Sequence, residues 1–102
     1  MSNSHMEPLS PEEATREIRR IVRYGSVLTT SHCRSDSMPK RNISFQDLLS
    51  VLQNGEVVAD PVYDEEHETY KYRVEGTTID DDSAVAITVF VSHRSILVIT
   101  VF

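Results

Sequence analysis

The chain has 102 residues, 25% of them charged, a formal charge of −6 and a single cysteine. That length holds one modest core, and the aliphatic content argues against disorder beyond the ends. No apolar run is long enough to span a bilayer as a helix and no basic-then-apolar leader is present, so the composition points away from membrane and secreted classes and toward a reducing cytoplasm.

Residues 1–8 read as an expression-vector remnant with a second start at Met6, leaving a single domain over 9–102. Helix 1 opens at Ser10-Pro11-Glu12-Glu13, a capping box with proline at the first helical position and acids on the positive end of the dipole. Ala14, Ile18, Ile21 and Val22 form one stripe, Arg16, Arg19, Arg20 and Arg23 lie mostly off it, and Gly25 stops the helix. Residues 26–30 are β-prone. Ser31 is placed to cap a short helix that Pro39 ends, with His32 and Asp36 on one face and Arg34 and Met38 on another.

A second capping signal, Ser44 with Asp47, opens an amphipathic helix carrying Phe45, Leu48, Leu49, Val51 and Leu52 inward and ending at Asn54-Gly55. Strand character resumes at Glu56, is broken at Asp60-Pro61, and gives way to the acidic run 64–68. Residues 69–76 alternate, with Tyr70, Tyr72 and Val74 on one face and Lys71, Arg73 and Glu75 on the other, before Gly76 as a turn. Two apolar runs, 84–91 and 96–102, flank Ser92-His93-Arg94-Ser95 and read as a hairpin. Both runs are apolar on both faces apart from Thr88 and Thr100, so both faces need a cover. The fold expected is α+β: two to three helices packed on one face of a twisted antiparallel sheet of four to five strands, with a second subunit as a possible cover for the remainder.

Charge divides the chain. Residues 14–44 hold seven bases against Glu17 and Asp36, a net +5, while residues 45–102 hold eleven acids against three bases, a net −8. A basic segment suits phosphate, whereas the whole molecule repels a polyanion at long range.

Several phrases carry a family resemblance. His32 with Met38 and Arg41, then Ile43-Ser44-x-x-Asp47-Leu48, Gly55-Glu56-Val57 and Tyr72-Arg73-Val74-x-Gly76, resemble an uncharacterised bacterial domain family of the RelE-like toxin clan. The element order and the phrase Val22-x-x-Gly-Ser-Val-x-Thr-Thr also resemble the MqsR type of mRNA interferase. The resemblance implies a RelE-like fold, metal-independent RNA cleavage usually on the ribosome, and restraint by an antitoxin protein.

Such cleavage needs a base at the ribose 2′-hydroxyl, cations on the phosphorane and a proton donor for the leaving oxygen. The catalytic candidates are His32 as base, held by Asp36, with Arg41 and Arg73 as cations and Tyr72 (or Tyr70) as donor; Arg34 and Lys40 are added as substrate-binding cations. Each also has a plain structural reading: a helix-start histidine, an Arg41 pairing with Asp36 or an acidic loop, an Arg73 facing Glu56 or Asp60, and tyrosines in the core. No metal or cofactor is expected, because His32, Cys33, His67 and His93 lack paired spacing and the three glycines form no phosphate loop. The two functions expected are therefore a toxin-like endoribonuclease, active or degenerate, and a non-catalytic module that binds a protein partner through a sheet edge or acidic surface.

Overall fold

The computed structural model describes residues 8–102, so the reading of the first seven residues lies outside it. Helix α1 (Pro11–Tyr24) starts as its capping box requires. Ser10 Oγ accepts from Glu13 N–H at 3.1 Å and Glu13 Oε1 accepts from Ser10 N–H at 2.9 Å. Its stripe of Ala14, Ile18 and Ile21 is fully buried. Strand β1 (Ser26–Thr29) follows directly.

Residues 31–40 are helical, but not as the sequence suggests. The N–H of Cys33 is capped by Thr30 Oγ1 at 3.0 Å, not by Ser31. Cys33–Ser37 is wound as a π-helical turn, and α2 (Met38–Lys40) continues through Pro39. Proline has no N–H for the carbonyl four residues back and its ring crowds that carbonyl, so a wider turn just before it is the low-cost way to keep the helix going. The same widening brings Cys33, Ser37 and Met38 inward together and leaves Arg34 in solvent, parting two residues that regular spacing would stack.

Helix α3 (Phe45–Asn54) repeats the capping logic at Ser44 and Asp47. Leu48, Val51 and Leu52 are buried; Phe45, in the first turn, overhangs the end of the core and stays 43% exposed. Two short strands, β2 (Glu56–Val57) and β3 (Val62–Asp64), precede β4 (Thr69–Thr77), β5 (Ser83–Ser92) and β6 (Ser95–Val101). The turn from β3 to β4 passes through Glu68 at φ 54°.

These strands form one six-stranded sheet in the order β1-β6-β5-β4-β2, with β3 on the same edge of β4 as β2. From β3 onward it is the expected antiparallel meander, with β2 antiparallel to β4 beside β3, but β1 runs parallel to β6, with Val27 opposite Ile96 and Leu28 opposite Leu97. The sheet is therefore mixed. A parallel pair needs a long crossover, and everything from residue 30 to 94 serves as that connection, a relation no local pattern reveals.

Helices α1 and α3 and the 31–40 segment share one core with one face of this sheet, built from Tyr72, Val74, Ala84, Ala86, Phe90, Ile96, Val98 and Val101. The α3 end meets β4 backbone to backbone. A Cβ on Gly76 would lie 2.5 Å from Val51 O and 2.9 Å from Gly55 Cα. Gly76 is thus an interior strand residue kept small by close approach, not the turn residue expected of it. None of the described helices is long and apolar enough to cross a membrane.

The second sheet face has no layer over it. Val85, Ile87, Leu97 and Ile99 are half-buried there, and Leu28, Val91 and Phe102 are 47%, 47% and 41% exposed. The sequence required both faces of the β5–β6 hairpin to be covered; the helices cover one.

Candidate functional site

The six residues singled out for RNA chemistry do not converge. His32 Nδ1 lies 3.5 Å from Asp36 Oδ2, and Lys40 Nζ lies 3.7 Å from Asp36 Oδ1, so the helical spacing of His32, Asp36 and Lys40 produces one exposed charged cluster. Arg34 is turned back on β1, where its Nη1 donates to Thr29 O at 2.7 Å and to Thr29 Oγ1 at 3.1 Å. Arg41 donates to Ser83 O at 3.2 Å and borders a polar cleft shared with Asp80 and Asp82.

Tyr72 is inside the protein. Its ring is 1% exposed and meets Phe90 edge-on at 5.2 Å between centroids, and its hydroxyl accepts from Leu9 N–H at 2.8 Å. Burial pushes the phenol above its ordinary value, which removes it further from a proton-donating role near neutral pH. Arg73 projects from the opposite face of β4, away from the helix layer that holds residues 31–41. There its Nε lies 2.9 Å from Glu75 Oε2, and its guanidinium sits 5.2 Å from the Phe102 ring centre. The pairing is along the strand with Glu75, not across it with Glu56 or Asp60. Alternation alone puts Tyr72 and Arg73 on opposite faces of any flat strand, and here one face is core.

Cys33 is fully buried, and burial pushes its thiol up, so it is shielded from substrate and disfavoured as thiolate.

The uncovered sheet face carries what the sequence reading missed. A cavity of about 320 Å³ lies on it, floored by Val89, Leu97 and Ile99 and walled by Thr30, Asp64, His67 and Lys71. Two β-branched strands supply the floor, where Val89 is only 6% exposed, and Asp64 and His67 of the 64–68 turn stand at its edge. The turn is held by Asp64. One carboxylate oxygen accepts from Glu66 N–H at 3.0 Å and His67 N–H at 3.3 Å. The other lies 2.9 Å from His67 Nδ1 and 3.0 Å from Lys71 Nζ. The hydrogen bonds from the His67 and Lys71 side chains hold the Asp64 carboxyl well below the usual carboxylate range.

Asp64, Glu66 and His67 bring three potential metal-donor atoms within 4.8 Å of one another. Both Asp64 oxygens are already engaged, so an ion would have to displace Lys71. The arrangement is better suited to shaping the cavity wall than to coordination. An apolar floor with a few polar groups at its rim is the composition of a recognition pocket. The acidic run and the alternating strands were visible as letters; that they meet over one sheet face was not.

A family model described as a domain of unknown function (DUF4258) matches residues 29–102. No curated protein and no solved structure matches the chain.

Proposed function

We propose, for a chain that belongs to the DUF4258 family of domains of unknown function, a non-catalytic role as a binding module that receives another polypeptide on the uncovered face of its sheet. The observation that carries this reading is the apolar surface formed by Leu28, Val85, Ile87, Leu97, Ile99 and Phe102 around a cavity of about 320 Å³. Contiguous apolar surface of this kind mostly marks interaction sites, and domains bury a sheet on both faces when both are apolar. The free edge of β1 is a poorer candidate, since Arg34 occupies the Thr29 carbonyl that an added strand would use.

The test is site-specific photo-crosslinking in cells, with the probe at Leu28 or Leu97 on the open face and at Tyr24 on the helix side. A discrete adduct with one identified polypeptide, formed from the first two positions and not from Tyr24, is expected. Equal adducts from all three, or none, would reject the reading.

A second reading has one observation in its favour. His32, Asp36 and Lys40 do assemble, on the basic side of a charge-divided chain. A RelE-like, toxin-type ribonuclease acting on RNA or the ribosome, and restrained by an antitoxin, would have to work from that cluster without Tyr72 or Arg73. Induction of the chain in a bacterium tests it: growth arrest relieved by His32→Ala supports cleavage, and normal growth at high expression ends it.

A further inference from the structure

We infer that the occupant of the open sheet face is a basic amphipathic helix of a different polypeptide, laid with aliphatic side chains into the Val89–Leu97–Ile99 cavity and with Lys or Arg toward the 64–68 turn. The inference rests on the binding-module reading above and specifies its partner. Charge carries it first. Of the acidic turn, Asp64 lines the cavity and the Glu66 carboxylate lies within 4.8 Å of the Asp64 and His67 donor atoms; Glu65, Glu66 and Glu68 are exposed and have no ion-pair partner among the described residues. Lys71 and Arg73, the two bases of β4, are already paired with Asp64 and Glu75. The rim therefore offers uncompensated negative charge to whatever the floor accepts, and complementary charge sets both encounter rate and choice of partner.

Shape decides between occupants. Two flat sheets pack about 10 Å apart, and the Asp64, His67 and Lys71 side chains that wall the cavity on one side stand in the way of that approach. A second copy would also bring its own −6 charge and acidic turn against this one. Four strands about 4.8 Å apart and some six residues long make a plot of roughly 400 Å², about half of what each partner commonly buries in a stable dimer. A helix about 10 Å wide fits beside the turn and supplies the missing layer. Its aliphatic side chains at i, i+3 and i+4 would fall along the floor, as in other helix-in-groove complexes.

The experiment uses the full chain, with two synthetic leucine-faced helical peptides that differ only in flanking lysines or glutamates. Methyl NMR reports on Val89, Leu97 and Ile99, and fluorescence anisotropy reports affinity. The lysine peptide is expected to shift those methyls and to bind about tenfold more tightly than the glutamate peptide. Joint reversal of Glu65, Glu66 and Glu68 to lysine, all at exposed positions, is expected to invert that order, while Asp80→Lys at the far end of β5 leaves it unchanged.

Equal or tighter binding of the glutamate peptide at the same methyls would overturn this inference and leave the sheet-face reading standing. An effect of Asp80→Lys as large as that of the turn variant would overturn it as general charge attraction. Methyls unmoved by either peptide would overturn it as well, and the crosslinking experiment then decides the sheet-face reading separately. A concentration-dependent dimer protecting these methyls would replace the helix with a second copy.

Discussion

Lys71 Nζ lies 3.0 Å from Asp64 Oδ2, joining the third residue after the acidic turn to the residue that opens it. Asp64 also accepts from the N–H groups of Glu66 and His67, so one carboxylate closes the turn and fastens it to the open face of β4.

The pH response of that turn follows from the sign of the shift. The Asp64 carboxyl is depressed in the folded protein, chiefly by hydrogen bonds from His67 and Lys71. Its contribution is therefore fully present above the unfolded value of about 4 and is lost as pH falls through the folded value. The hydrogen bonds from the Glu66 and His67 amides to Asp64 are expected to persist from neutrality to about pH 4 and to be lost together only in stronger acid, read as a joint fall in the exchange protection of those two amides. Asp64→Asn should loosen the turn at neutral pH, seen as faster amide exchange at those two residues with the core unchanged.

Gly76→Ala tests the contact between α3 and β4. A methyl group there meets the Val51 carbonyl and the Gly55 backbone, neither of which is a flexible side-chain end. A loss of about 2–3 kcal/mol is expected, read as a lower urea midpoint with an unchanged slope.

Tyr72 separates a core role from a catalytic one. Tyr72→Phe removes the acceptor of Leu9 N–H and should cost about 1 kcal/mol, whereas Tyr72→Ala should cost about 3–5 kcal/mol. If the hydroxyl instead served chemistry, Tyr72→Phe would abolish any toxic phenotype at nearly unchanged stability.

Arg34→Ala should uncover the edge of β1. Losing the bonds to Thr29 O and Oγ1 frees an outward carbonyl for strand addition, so slow, concentration-dependent association is expected by sedimentation. His32→Ala, at an exposed position, should leave stability within about 0.5 kcal/mol and makes a clean control.

Both capped helices were legible because a capping box is a four-residue, local signal, and Ser10–Glu13 and Ser44–Asp47 formed the bonds their spacing implied. The faces of β4 were equally legible, since alternation has only two answers. Pro39 misled because a proline can be absorbed when the turn before it widens, and that choice depends on burying Cys33 and Met38. The extra residue in β6 was silent too: Ile87 pairs with Thr100 and Thr88 with Val98, so the chain skips Ile99 and Val101 reaches the core where strict alternation would have placed Thr100.

The amino-acid order by itself determined the helices, the hairpin, the acidic turn and the division of charge, all of which rest on contacts a few residues apart. Tertiary structure alone decided that β1 runs beside β6, that Arg73 and the His32 segment stand on opposite faces of the sheet, and that one apolar face is left open beneath the turn. Those outcomes depend on which segments meet after the chain has crossed the molecule. A residue's chemistry is written in its own position, but its neighbours are chosen by the packing of the whole.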